Sequence, residues 1–496
     1  MRKLSISLLL LLTFVQLSIA QRAVVRGDFA DPSVIKVGDT YYTTATSSNW
    51  APAFPIMKSK DLINWEQTGS IFPDLTAWAD FYYWAPELTY DNGKVYVYYT
   101  AHKKGGNLCV GVASADSPEG PFRDHGPLVC QEVGSIDGFP VRDENNKLHL
   151  IWKEDGNSVG KPTPIWIQPI NEERTALTGE KRELFRNDTP WEANLVEGVS
   201  VIKNNGYFYA IYAAAGCCGP GCTYATGVAR AKKLMGPWEK FSGNPILSGQ
   251  GDWMCPGHGT AVVHQGKNYL MYHAYDRASN KYTGRQALIR RFEFTADNWI
   301  RFTDDYLSPA DKNTAYKVTD DFDKNNLGLQ WSWSVFNKPA LELKNGRMGL
   351  QMKDDREVFV ARRIDSQNYE ATVETIPVKD ALAGVALIGD DKNLIYAAAK
   401  QDSIHVTLVK DGARSSLGAF PVAAGGKHLF IKLTVKNNTD IRFHYSLNGS
   451  DFTRLETLSA DITYMPPWDR ALRVGILGKG VQGDAVVVEK FVFESK

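Results

Sequence analysis

The sequence predicts an all-β protein: a five-bladed β-propeller followed by a β-sandwich. Three features carry that expectation. Tyr-rich runs with a two-residue alternation recur five times before Phe302. Each unit has room for about four short strands and their turns, the size of a propeller blade. After about Asn313 the pattern changes to many short alternating strands separated by Gly and Asn turns, as a sandwich requires. At 496 residues the chain is too long for one typical core. The expected division is a leader at 1–20, a propeller at 21–312 and a sandwich at 313–496.

The leader begins with Arg2 and Lys3 and continues through the apolar run "LSISLLLLLTFVQL". Small residues at Ser18 and Ala20 suit a cleavage site that would leave Gln21 first, so the protein is expected to be exported, to the periplasm or beyond it. No cysteine follows the site to carry a lipid, and no later segment is apolar enough to span a membrane. Export permits disulfides among the six cysteines. "GCCGPGC", Gly216–Cys222, reads as a stapled loop whose pairing the sequence leaves open.

Each propeller unit is read as opening with a marker run: "TYYTTAT", "VYVYYTA", "LHLIWKE", "YFYAIYAA" and "YLMYHAY". With Tyr41, Tyr96, Leu148, Tyr207 and Tyr269 as markers, the steps are 55, 52, 59 and 62 residues. An ionisable residue precedes each marker at nearly the same distance. Asp31 lies 10 before, Glu87 9, Asp137 11, Glu197 10 and His258 11. Equivalent points on innermost strands converge on a propeller axis, so four carboxyl groups and one imidazole are expected in one funnel. Singly, each has a bland alternative: a turn acid before proline at Asp31, an acid solvated or bonded to backbone at the channel wall at Glu87, a turn at Asp137, a surface acid at Glu197, a hydrogen-bonded core histidine at His258. The five-fold register favours a shared use, because clustered buried acids repel and their proton affinities rise.

The remaining strands fall in the second domain. They are "ALELKNGRMGLQM", "VFVARRI", "YEATVETI", "AGVALIG", "LIYAAAK", "IHVTLVK", "LFIKLTV", "IRFHYSL" and "VVVEKFVFE". No complete catalytic set appears among them. Trp331 and Trp333 are read as core or as a carbohydrate contact, and "DDFD" as a solvated edge or a calcium loop.

Composition excludes some functions. Lys+Arg and Asp+Glu both number 56, which argues against a nucleic-acid partner. Thirteen Trp and 22 Tyr suit both β-structure and a sugar-binding surface. Two carboxyls across a cleft cleave a glycosidic bond, one protonating the leaving oxygen while the other attacks or activates water. A third nearby acid keeps the donor's proton affinity high.

"ADPSV", "WAPEL", "SIDGFP", "VEG" and "PGHG", in that order and spacing, resemble glycoside hydrolase family 43. The resemblance runs from about Gly27 to Phe302. This region is similar to exo-acting members that include α-L-arabinofuranosidases and β-xylosidases, and the region after Asn313 resembles the concanavalin-like domain that follows many of their propellers. The resemblance implies Asp31 as general base, Asp137 as modulator and Glu197 as general acid of an inverting hydrolysis. It also implies His258 beside a bound calcium, and Arg285 as an arginine that steadies modulator and sugar. Val199 departs from the proline relatives often carry after "EG". Trp84 is expected to stack on sugar, and Trp50 and Phe54 to shape the pocket; core packing is the alternative for all three. The leading expectation is release of terminal α-L-arabinofuranosyl units from plant arabinan or arabinoxylan. The alternatives are a β-D-xylosidase, an endo-arabinanase and a non-catalytic carbohydrate-binding propeller.

Overall fold

The computed structural model describes residues 21–310, 315–422 and 427–496. The leader and its cleavage site, and the boundary at 312/313, lie outside the described residues.

Five four-stranded antiparallel sheets follow one another along the chain. Their first strands are Ser33–Val37, Ala79–Asp91, Ser135–Arg142, Val196–Asn204 and Trp253–His264. Each Tyr-rich marker run is the second strand of its sheet, not the first as the repeat suggested. Alternation fades in these runs, and Tyr207–Ala214 is buried along nearly its whole length. The reason is that each blade packs against a neighbour on both faces, so both sides of the pleat are apolar. Five apolar clusters show it. Phe54 and Tyr83 join blades 1 and 2, Tyr98 and Trp152 join 2 and 3, and Ile151 and Phe208 join 3 and 4. Tyr209 and Leu270 join 4 and 5. Tyr41 and Met271 join 5 back to 1, which closes the ring.

The C-terminal region forms an eight-stranded and a six-stranded sheet facing one another across a shared core that includes Val373, Ile431, Phe491, Val385, Ile395 and Val474. Trp331 belongs to that core and donates its indole N–H to Asp320 at 2.7 Å. The six-stranded sheet is apolar on its other face as well, where Ala386, Ile388, Leu394 and Tyr396 gather around Trp50 of the propeller. The runs "AGVALIG" and "LIYAAAK" therefore lack alternation for the same reason the blades do. A two-stranded ribbon, Trp333–Ser334 against Trp50–Ala51, ties the two regions by main-chain pairing.

Candidate active site

Three blades contribute to the axis through a local break in the first strand, and Asp31 stands just ahead of the first strand of its own blade. Pairing shifts register between Ile136 and Phe139, between Glu197 and Ser200, and on both sides of Gly257. Asp31, Asp137 and His258 adopt positive φ of 52°, 58° and 42°. A bulge of this kind bends the strand and re-aims a side chain that would otherwise lie flat between blades. At Glu197 the left-handed residue is the next one, Gly198, with φ of 59°. A Cβ there would stand 2.8 Å from the His258 ring. Gly198→Ala is therefore expected to push His258 or Glu197 off position and to lower kcat about a hundredfold. Steady-state kinetics beside a melting curve check this; a variant within threefold of wild type would remove the steric argument.

The structure brings Asp31, Asp137, Glu197, His258, Arg285 and Trp84 to one cavity of about 420 Å³. Asp31 is buried, accepts a hydrogen bond from the Thr46 hydroxyl at 2.6 Å and pairs with Arg285 at 3.1 Å. Its main-chain N–H donates to Nδ1 of His273 at 3.0 Å. Burial alone would raise its proton affinity, but the Arg285 guanidinium and the two histidines hold the carboxyl well below its usual range. Asp137 shows the opposite outcome. Burial pushes it up to about 6 despite His258 and Lys153, and the charge on Glu197 adds to the rise. One oxygen of Asp137 accepts the Gly198 N–H at 2.9 Å, so the bulge that aims Glu197 also ties it to Asp137.

Glu197 is also buried, yet its carboxyl is held below the ordinary value. Burial raises it, and the Lys153 ammonium at 2.7 Å and the Tyr224 hydroxyl at 2.9 Å outweigh that effect. Lys153 is 1% exposed and also contacts Asp155 at 3.1 Å. Sequence reasoning missed it. The available signal was a lysine in "LHLIWKE", directly after the apolar residues Leu150–Trp152 of a strand buried along nearly its whole length. His258 is drawn upward, its burial being outweighed by Asp137, Asp31 and Glu197. Glu87 does not line the cavity. It accepts the Thr260 hydroxyl at 3.0 Å, and burial pushes it up to about 7.

Two expected pocket aromatics lie elsewhere. Trp50 is 3% exposed and packs on Phe359 and Arg473 between the domains. Phe54 is fully buried among Phe72, Tyr83 and Tyr99. The second domain covers Trp50 and the second blade covers Phe54, so both are core. Trp84 does line the cavity, stacked on Tyr82 with ring centroids 4.3 Å apart.

The second domain supplies what the sequence did not point to. Trp468 and Asp469 reach the cavity from the sandwich. Trp468 is 53% exposed and meets Trp84 edge-on at 5.7 Å. The buried Asp469 carboxylate accepts from Trp84 Nε1 at 3.0 Å and from the Ser48 hydroxyl, and pairs with Arg470 at 2.6 Å. Its carbonyl accepts from Arg285 at 2.9 Å. The arginine that grips Asp31 is thus itself gripped by the other domain.

Among the described residues, the acids and histidines of the axis do not bring three ligand atoms within reach of one another. Calcium takes six to eight oxygen ligands, whereas His258 offers one imidazole. Among the described residues the one group of three or more potential ligands within reach of one another is Glu374, His428 and Glu489, on the sandwich.

The cysteines pair as Cys109–Cys130 within blade 2, Cys217–Cys218 between adjacent residues, and Cys222–Cys255 between blades 4 and 5. Cys217 and Cys218 line the cavity.

Comparison with known proteins agrees with this geometry. The family model described as Glycosyl hydrolases family 43 matches residues 20–300. The model described as Beta xylosidase C-terminal Concanavalin A-like domain matches residues 319–467. The chain is 27% identical over 448 residues to a non-reducing end alpha-L-arabinofuranosidase of Bacteroides ovatus, covering 79% of each. It is 30% identical over 241 residues to a xylosidase/arabinosidase of Butyrivibrio fibrisolvens, covering 46% of this chain and 45% of that one. Among solved structures, a xylan beta-1,4-xylosidase of Bacillus halodurans shares the fold, with a TM-score of 0.81 at 22% identity over 96% of this chain and all of that one.

Proposed function

Since the chain belongs to glycosyl hydrolase family 43, we propose that this glycoside hydrolase is an exported, exo-acting, inverting enzyme that releases terminal α-L-arabinofuranosyl units from plant arabinan or arabinoxylan. The observation that carries the reading is one cavity holding three carboxyls in unlike surroundings. Trp468 and the Cys217–Cys218 loop stand at its rim, which suits a chain end better than the middle of a polymer. A β-D-xylosidase is the second reading, favoured by the description of the matching C-terminal domain.

In this mechanism Asp31, kept ionised by Arg285, takes a proton from water. The water oxygen attacks the anomeric carbon from the face opposite the leaving group, so configuration inverts. Glu197 gives a proton to the departing oxygen, and Trp84 offers its face to the sugar. Asp137 and Glu197 hold one proton between them before the reaction, because the site disfavours two adjacent charges and Lys153 stabilises one of them. Lys153 thus draws charge onto Glu197 in the empty site, and Asp137 keeps the proton close at hand.

A pH profile tests the shared proton. The pair loses it as pH rises through the region near 6 to which Asp137 is raised, so kcat/KM is expected to fall there. Lys153 lowers the proton affinity of both carboxyls. Lys153→Met removes that cation, both affinities rise, and the alkaline limb is expected to move to higher pH by about one unit or more. A limb that stays in place or moves down would separate Lys153 from the proton.

The substrate is tested with the p-nitrophenyl α-L-arabinofuranoside and β-D-xyloside. The arabinoside is expected to be hydrolysed with at least tenfold higher kcat/KM. The reverse order keeps the mechanism and selects the xylosidase reading. Hydrolysis of linear arabinan to internal oligomers, with neither small glycoside cleaved, would refute exo action.

A further inference from the structure

The loop Gly216–Cys222 has a role that hydrolysis alone does not require. A bond between the sulfurs of adjacent residues closes a small ring through the peptide between them. Such a ring is rigid and presents two polarisable sulfurs with little hydrogen-bonding capacity. Here it is half-buried and faces the catalytic cavity. The loop is braced along its length. The Gly216 N–H donates to the Thr223 hydroxyl at 3.0 Å, the Gly219 N–H to the Tyr275 hydroxyl at 3.3 Å, and Cys222 is bonded to Cys255.

Its position relative to the chemistry is fixed through shared packing. Cys217 lies in one apolar cluster with Leu195 and Tyr224. Leu195 is two residues before Glu197, and the Tyr224 hydroxyl donates to Glu197. The carboxyl that protonates a leaving oxygen sits on the leaving-group side of the scissile bond. The sulfur plate is therefore on that side, next to Glu197 and towards the rim. Gly219 of the same loop approaches the Trp468 main chain, where a Cβ would stand 3.8 Å from the carbonyl oxygen. The rim thus has an apolar sulfur face from the propeller and an indole from the sandwich.

We propose that the Cys217–Cys218 disulfide is the platform for the leaving sugar, receiving the undecorated C–H face of the pentosyl residue next to the chain end. This rests on reading the site as that of an exo-glycosidase. The plate offers no partner for hydroxyls, so it selects for a ring with one bare face. A branch on that face would lift the ring off the sulfurs.

The test compares wild type with the double variant Cys217→Ala/Cys218→Ala on two substrates. One is the unbranched disaccharide of the pentose the wild type prefers. The other is the pentosyl fluoride, whose leaving group is a single atom too small to reach the plate. The ratio of kcat/KM for disaccharide to that for fluoride is expected to fall about tenfold or more in the variant. An equal fall on both, or none on either, would overturn the platform and leave the disulfide as a brace. If the variant does not fold, wild type alone decides the matter. A trisaccharide branched at the penultimate residue is expected to be cleaved at least tenfold less efficiently than its linear isomer, and equal cleavage would overturn the proposal. Wild type that cleaves neither disaccharide nor fluoride refutes the exo-glycosidase reading itself, an outcome distinct from an unchanged ratio.

Discussion

Glu197→Gln is expected to lower kcat on an arabinosyl or xylosyl disaccharide by about 10²–10⁴, and far less on the p-nitrophenyl glycoside. The amide keeps the shape of the side chain and has no proton to give. A sugar alkoxide does not depart without one, whereas p-nitrophenolate is stable enough to leave largely unaided. The dependence on leaving group is the decisive readout. The substitution also removes the closer of the two carboxylates paired with the buried Lys153 ammonium, leaving Asp155 at 3.1 Å, and part of any loss is structural. A structural loss falls on both substrates alike. Equal losses on disaccharide and p-nitrophenyl glycoside would therefore remove Glu197 from the role of proton donor.

Asp31→Asn is expected to give the second large effect, a fall in kcat of about 10²–10⁴ that is the same for every leaving group. Water must be deprotonated whatever departs, and the amide is not a base. Asn keeps an oxygen to accept from Arg285, and its NH2 group takes the other position, where the Thr46 hydroxyl can accept, so the pocket is expected to keep its shape. Binding of the released pentose, followed by calorimetry, is expected to stay within about threefold of wild type while turnover collapses. Turnover within tenfold of wild type, or loss of sugar binding in parallel with turnover, would sink the assignment. The low proton affinity of Asp31 also carries a sign. A base held ionised well below its usual range does not set the acid limb of the pH profile near neutrality, so the profile from pH 5 upward is governed by the Asp137–Glu197 pair.

The register of one ionisable residue per repeat was legible because a propeller converts equal steps along the chain into convergence at the axis. The identity of the blades was legible too, although the starting strand was misplaced. The Tyr-rich runs are the most conspicuous pattern and are second strands, while the first strands are broken by bulges and look less regular. Trp50 and Phe54 were drawn towards the pocket by their closeness in sequence to Asp31. What sends them into the core is the sheet bearing Leu394 and Tyr396 and a neighbouring blade, respectively, and no local pattern announces either. Lys153 was readable in principle, since a lysine directly after the apolar run Leu150–Trp152 of a buried strand needs a buried partner. Asp469 was not. It follows Asp31 by more than four hundred residues, in a loop with no motif, and becomes visible only once the sandwich is docked.

The hydrogen bond from Arg285 to the Asp469 carbonyl changes what counts as the heritable unit. Appended sugar-binding modules are commonly regarded as interchangeable, to be shuffled between genes to retarget a hydrolase. Here recombination at the junction would deliver a propeller with all its acids and an arginine lacking one of its anchors. Chimaeras should survive only when the incoming sandwich restores both a carboxylate against Ser48 and Trp84 and a carbonyl facing Arg285. The two domains are thus bound to be inherited together, and their sequences drift under one constraint.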